Sequence, residues 1–453
     1  MAVSVRVWSR SPVIGSPVVA RLPGHRVAGL YLAQRVRFGI KFGLETMRAL
    51  VAEMGHPERA SASLLIAGTN GKGSVAAYCD RVLRGSGLRC GRYVSPHLVR
   101  VHERITVDGR EIGEAAFGRA VRAVRDAADA LVRRGVLASH PTYFEVLTAA
   151  AFEHFRRSRV EVAVLEVGLG GRLDATNVAD PLASAIVTVD FDHQVYLGRT
   201  LRAIATEKAG VMRTGRSTVV GPLPEEAQAA VRERAAAIGA RVVDATAGTR
   251  LVPRPDGAFD LDTPRRRYQG LQPLPGRHQQ DNLLVAIRLL EEAEASGLAV
   301  RADAVPDAIA HTRWPGRLER VAGKPPLLLD GAHNPAGARA LGAHLRGGPP
   351  FVLLFGAMAD KDVRGLAAAL VPLATEVVLT QPKVSRAATP QVLARRLGRL
   401  ARGAERQASV ARALALARRK ARAHGPGTMV VVAGSLYLVG AVKALLERRR
   451  PRR

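Results

Sequence analysis

Short apolar runs recur along the chain, and each ends on a polar or glycine-rich turn. Leu64-Leu65-Ile66, Val160 to Leu165 and Ser184 to Val189 fall in the first half. Leu327-Leu328-Leu329, Val352 to Phe355, Val377-Val378-Leu379 and Met429 to Val432 fall in the last third. Runs without strict alternation predict strands covered on both faces, as in a parallel sheet. Between them, apolar residues repeat at three- and four-residue spacing, as in Met47, Leu50, Val51 and Met54. The same period predicts helices over 114–134, from about 144 to 155, over 201–212 and over 280–295. Thr142 with Glu145 three residues on forms a capping box at the second of these. Residues 245–275, rich in Gly and Pro, predict a small antiparallel excursion. Strands alternating with helices predict doubly wound parallel sheets.

The polar break that carries most chemistry follows the first run. Gly68-Thr69-Asn70-Gly71-Lys72-Gly73-Ser74 lies between a strand and a helix that Gly85 and Gly87 end. Glycines there let backbone N–H groups approach a polyphosphate, the helix start adds a positive dipole end, and Lys72 adds a point charge. Two residues rather than four separate Gly68 from Gly71, and Gly73 stands where the general pattern has Ser or Thr, so Ser74 is the candidate hydroxyl. A plain glycine turn opening a helix accounts for less of this. Glu166 and Asp192-His193 each end an apolar run. That is the carboxyl edge where open α/β sheets bind ligands, and a carboxylate there suits Mg²⁺.

The loop variant resembles that of the Mur ligase family, and within it the dihydrofolate/folylpolyglutamate synthases. Ser95-Pro96-His97-Leu98, the twelve residues Glu166 to Asn177, Asp192-His193, Glu207-Lys208-Ala209-Gly210, Pro315-Gly316-Arg317 and Asp330 to Pro335 follow in that family's order. The resemblance implies an N-terminal P-loop ATPase domain with a parallel sheet and a smaller C-terminal Rossmann-like α/β domain. It implies ATP on residues 68–74, with Asn282 at the adenine and Arg317, Asp330 and His333 across the gap. It implies one or two Mg²⁺ ions on Ser95, Glu166 and His193, and a carbamylated Lys208. Lys72, Lys208 and His193 are the expected catalytic residues. Ile40, Lys41, Phe42, Thr142, Phe144, Leu173, Asp174 and Ala175 would line a pterin site, and Ser435 a glutamate site. On residue type alone, Ser95 before Pro96 also reads as a turn, Lys208 as a counter-charge, residues 40–44 as a loop before a packing helix, and Asp174 as a cap of its own loop.

Composition trims the alternatives. A chain of 453 residues predicts more than one domain. The expected units are an extension over 1–28, an ATP-binding domain over 29–297 and a glutamate-ligase domain over 298–453, with the break at Ser296-Gly297. A net charge of +29 invites a nucleic-acid partner. The basic residues are spread over helical faces, however, as in Arg119, Arg122 and Arg125, without interleaved aromatics. No nucleic-acid partner is expected, and the field draws anionic ligands instead. Only eight of the 68 basic residues are lysine, and Lys72, Lys208 and Lys361 lie in motifs, where a compact or deprotonatable amine is wanted. Two cysteines, no membrane-length apolar run and no dinucleotide fingerprint suggest a cytoplasmic monomer without NAD. A cell-wall amino-acid ligase and a nucleic-acid-stimulated ATPase stay open as other readings.

Overall fold

In the computed structural model, which describes residues 24–35, 41 and 43–448, two open sheets are built in succession. The first has eight strands in the order β4-β3-β2-β5-β1-β6-β7-β8. At its centre β1 (Ala62–Ala67) pairs in parallel with β5 (Val162–Glu166) and β6 (Ala183–Ile186). β2 (Cys90–Tyr93), β7 (Ser217–Val220) and β8 (Arg241–Asp244) are also parallel, while β3 (Ile105–Val107) and β4 (Arg110–Glu111) form an antiparallel edge. In β5, Val162 and Val164 enter one core while Ala163 and Leu165 enter the other. Both faces are apolar, which is why the run shows no alternation.

β6 stops at Ile186, short of the run's polar end. The next residues belong to no strand, and their hydrogen bonds turn to the glycine loop. Thr69 N donates to Thr188 O at 2.8 Å, and Asn70 N donates to Thr188 Oγ1 at 2.9 Å. Glu114–Arg133 and Tyr143–Arg157 are helices, and the second carries the expected capping box. β9 (Arg250–Pro253), β10 (Phe259–Asp262) and β11 (Arg267–Leu271) form the antiparallel excursion. Buried Glu291 on the helix His278–Ala295 anchors it, accepting from Thr263 Oγ1 at 2.6 Å and Tyr268 OH at 3.1 Å.

The N-terminal extension reaches less far than residue 28. Gly24–Arg35 is a helix, and Ala28, Tyr31 and Leu32 are buried in the core that also takes Phe117, Val121 and Val124. Residues 1–23 lie outside those described. The segment after Ser296-Gly297 does not yet join the second sheet. Val305, Ala308 and Ile309 pack instead with Val82 and Leu83 in a core of the first.

The second sheet runs β12-β13-β17-β14-β15-β16. β13 (Leu327–Leu329), β17 (Met429–Ala433), β14 (Phe351–Phe355), β15 (Glu376–Gln381) and β16 (Glu405–Ser409) are parallel, and β12 (Glu319–Val321) is an antiparallel edge. Separate apolar cores cover its two faces. Among the described residues no helix is long and apolar enough to cross a membrane.

The capping box gives a first test. Thr142→Ala removes the hydroxyl that accepts from Glu145 N at 3.3 Å. It is expected to lower unfolding stability by about 1 kcal/mol in urea melts, with Thr142→Ser close to wild type.

Candidate active site

The loop joins the carboxyl end of β1 to the helix Lys72–Gly85, with Gly71 capping that helix at φ 84°. A side chain at 71 would be strained there. Lys72 curls back so that Nζ donates to Gly68 O at 2.9 Å and Thr69 O at 3.3 Å. Burial lowers its pKa from the ordinary lysine value, with Glu166 opposing. Glu166, the last residue of β5, accepts from Ser95 N at 3.1 Å, and burial raises its pKa with Lys72 opposing. A buried cation and a buried anion are both pushed toward neutrality, which leaves the site electrostatically unfinished without an anion and a cation from outside. Ser74 Oγ is already engaged, accepting from Gln279 Nε2 at 3.2 Å, and Gln279 Oε1 accepts from Asn282 Nδ2 at 2.9 Å.

The second sheet closes on this loop through one polar cluster. Asn334 Nδ2 donates to Asn70 Oδ1 at 2.9 Å and to Asp192 Oδ2 at 3.1 Å, and Asn70 Nδ2 donates back to Asn334 Oδ1 at 3.3 Å. Lys361 pairs with Asp192 and donates to His193 Nε2 at 3.2 Å. His193 is held neutral, its pKa lowered to about 4 chiefly by burial. Burial also lowers His333 to about 4; its Nδ1 bonds Gly331 O at 2.9 Å. Lys361 stands in Asp360-Lys361-Asp362 after β14. Its survival as lysine in an arginine-rich chain marked it, but nothing local tells that it reaches Asp192.

A cavity of about 470 Å³ lies between the sheets. Residues 68–74, Ser95, Glu166, His193, Lys208, Asn282, Arg317, Asp330 and His333 all line it. Lys208 is buried, and no hydrogen bond is recorded for its amine among the described residues. Burial, and secondarily Lys72, lower its pKa to about 7. Asp330 accepts from Leu318 N and Ala332 N, each at 2.9 Å, so it also shapes the turn that carries Arg317.

The expected pterin and glutamate residues stand back from this lining. Thr142 caps its helix, and the Phe144 ring lies against Gly168, where an added Cβ would fall 2.5 Å from Cζ. Asp174 is buried and engaged by its own loop, accepting from Leu169 N at 2.9 Å, Thr176 N at 3.0 Å and Thr176 Oγ1 at 2.6 Å. Leu173 is half-buried and Ala175 buried beside it. Ser435 caps the helix Leu436–Glu447 through Tyr437 N at 3.1 Å. Lys41 is exposed and donates to Thr46 Oγ1 at 2.9 Å. Ile40 and Phe42 lie outside the described residues.

Among the described residues no three His, Cys, Asp or Glu side chains converge as a ready-made metal cage. The donors that are present suit magnesium, which takes one or two carboxylates and completes its shell with phosphate and water. Glu166 offers a buried carboxylate on the loop side of the cavity, and neutral His193 offers a ring nitrogen that Lys361 now holds.

Comparison with known proteins accords with this geometry. Residues 316–436 match the family model described as Mur ligase, glutamate ligase domain. The Escherichia coli dihydrofolate synthase/folylpolyglutamate synthase is 32% identical over 449 residues, 98% of this chain and 99% of that one. The chain belongs to the dihydrofolate synthase/folylpolyglutamate synthase branch of the Mur ligase family. A probable bifunctional folylpolyglutamate synthase/dihydropteroate synthase of Halobacterium salinarum is 37% identical over 432 residues, and this chain spans only about half of it, 51%. Among solved structures, the E. coli enzyme in complex with DHPP and ADP aligns with TM-score 0.84 at 30% identity, covering 95% of this chain and 99% of that one. A bifunctional folylpolyglutamate synthase/dihydrofolate synthase with Mn, AMPPNP and L-glutamate bound aligns with TM-score 0.82 at 30% identity, covering 94% and 99%.

The isolated amine of Lys208 has a pH signature. Its pKa falls from 10.5 to about 7 on folding, so between those values the unfolded chain holds more protons and stability rises with pH. Below about pH 7 the full penalty is present. Lys208→Met in CO₂-free buffer is expected to be more stable than wild type at pH 6, by about 1–3 kcal/mol, with the gap closing toward pH 10. Urea melts across that range check it; a constant gap at all pH values would contradict the assignment.

Proposed function

We propose that this chain is an ATP-dependent ligase that joins L-glutamate to dihydropteroate and to folates. The observation that carries the reading is the single cavity in which the Lys72 loop, Glu166, His193 and Lys208 from the first sheet face Arg317, Asp330 and His333 from the second. A carboxylate does not condense with an amine until its oxygen is a leaving group. The γ-phosphoryl of ATP passes to the carboxylate of the pteroate or folate, its bond to the β-phosphate oxygen breaks, and ADP leaves an acyl phosphate. The neutral amine of glutamate attacks the acyl carbon, the C–O bond to phosphate breaks, and the amine proton passes to solvent or a base.

The residues have separable tasks. Lys72 and the loop amides hold the β- and γ-phosphates, and Lys72 exchanges its two carbonyl partners for phosphate oxygens. Asn282 meets the adenine beside His278 and Pro222, while Arg317, Asp330 and His333 close the nucleotide from the other side. Ser95, Glu166 and His193 would hold Mg²⁺, which when bound neutralises phosphate charge. Lys361 must then release His193 while keeping Asp192. Lys208, near half-neutral at neutral pH, is primed to take up CO₂ as a carbamate, which a guanidinium cannot do. The carbamate's negative charge would compensate Lys72 and a cation. Closure through Asn70 and Asn334 keeps water from the acyl phosphate. The neighbours that carry ADP with DHPP, and Mn with AMPPNP and glutamate, support this set of ligands.

A second reading restricts the acceptor to folates. Its motive is Asp174, whose two oxygens are already occupied by Leu169 and Thr176. ATP turnover with glutamate and either dihydropteroate or tetrahydrofolate decides the point. The bifunctional reading requires both acceptors to work, and a UDP-muramyl substrate or DNA should not replace them. Asp174→Ala that loses dihydropteroate most severely would give the carboxylate a pterin role; equal losses would leave it a cap.

Two variants test the machinery. Lys72→Ala is expected to lower turnover by at least about 100-fold in a normally folded protein. Lys208→Arg is expected to be inactive, and intact-protein mass in bicarbonate should show the CO₂ adduct on wild type alone. An active Lys208→Arg would exclude the carbamate.

A further inference from the structure

The residue after Lys72 is glycine where phosphate loops generally carry Ser or Thr, and the structure gives a reason. The indole of Trp314 lies against Gly73. A Cβ added there would fall 2.7 Å from Cζ2, 3.0 Å from Cε2 and 3.0 Å from Nε1 of that ring. Real Cβ atoms do not approach closer than about 3 Å, and the ring is held in turn by a cation. The Arg92 guanidinium stands 5.0 Å over its centroid, and Arg92 Nη1 reaches Asp80 Oδ2 at 3.3 Å. Asp80 is buried on the same helix that Gly73 opens, and it also takes Arg84 at 3.0 Å. The ring therefore meets both the first turn of the loop helix and a guanidinium tied to its third turn.

Trp314 belongs to the chain that crosses from the first sheet to the second. Ile309, five residues before it, is packed in a core of the first sheet; Arg317, three residues after it, lines the nucleotide cavity; and β12 of the second sheet begins at Glu319. We propose that Trp314 is a positioning residue for the phosphate loop: its ring fills the side-chain space at position 73 and fixes the start of the loop helix relative to the segment that delivers Arg317. The hydroxyl of the general pattern is thereby displaced one residue, to Ser74, where Gln279 takes it. This deepens the nucleotide reading above and rests on it.

The test is compensation between the two positions, read by calorimetric titration with ADP and AMP and by thermal melting. Gly73→Ala is expected to weaken ADP by about tenfold or more while changing AMP little, because the β-phosphate depends most on the loop. Trp314→Leu, which lacks the three crowding atoms, is expected to loosen the loop and weaken ADP several-fold. In Gly73→Ala/Trp314→Leu the alanine should add no further loss, and ADP affinity should recover to that of Trp314→Leu alone. If Gly73→Ala fails to fold, the double variant is expected to restore a cooperative melt. Tight ADP binding by Gly73→Ala, or additive losses in the double variant, would overturn the inference. Wild type that binds no ADP would instead overturn the nucleotide reading beneath it.

Discussion

The arrangement depends on a lysine ammonium kept dry at the end of a central strand. Among the described residues Lys72 has two backbone carbonyls and no carboxylate in hydrogen-bond contact, and Glu166 at the end of the adjacent strand has only Ser95 N. Between paired groups such burial is tolerable; apart, each group costs several kcal/mol. A sheet that stacks β1 beside β5 in parallel places both groups at one edge, because both strands end there. The cost is offset when a polyphosphate reaches Lys72 and a divalent ion reaches Glu166. The same electrostatic deficit that weakens the empty protein therefore favours the ligands over water.

Closing that edge falls to the second sheet, and around the loop it does so with amides and two ion pairs, Lys361 with Asp192 and Arg339 Nη2 with Asp190 Oδ2 at 3.2 Å. Asn334 is bonded to Asn70 and Asp192 and also caps the helix Pro335–Leu345 through Gly337 N at 2.9 Å. One side chain thus sets a helix start on one side and grips the phosphate loop on the other. Amide hydrogen bonds contribute roughly 1 kcal/mol each, so a clasp of this size can open and reform during turnover. A broad apolar interface would hold the cleft shut more firmly than product release allows.

Much of this was legible in the sequence, for identifiable reasons. The runs ending at Ile66 and Leu165 carry strands because both faces of the sheet are covered, so an unbroken apolar run needs no alternation to be decisive. The loop, Glu166, His193 and Lys208 were legible because each sits where a regular element ends. The Thr142 box was local enough to read directly. What was not legible involves partners distant in sequence. Residues 187–190 look like more strand, but they bond the glycine loop more than a hundred positions away. Helix 305–310 follows a good break signal yet packs backward on the first sheet. Trp314 sits one residue before a motif and reads as an ordinary aromatic until its ring is found against Gly73.

The lysines show how far composition can be pressed. Retention of lysine in an arginine-rich chain pointed to Lys72, Lys208 and Lys361, and all three converge on one cleft. Lysine is also retained at Lys443, paired with Glu319 at 2.6 Å, and at Lys420, paired with Glu376 and Glu405, where no ligand is in play. Retention alone therefore does not separate function from structure. The partner separates two of the three: Lys361, Lys420 and Lys443 meet carboxylates, whereas among the described residues Lys72 meets only carbonyls and the Lys208 amine has no hydrogen bond. An ammonium is small enough to be buried without filling its hydrogen-bonding capacity, and its proton can be shed; a guanidinium is neither compact nor deprotonatable. Where the chain needs a cation that can be left waiting, arginine is the wrong residue, and the pressure toward arginine elsewhere makes the exceptions visible.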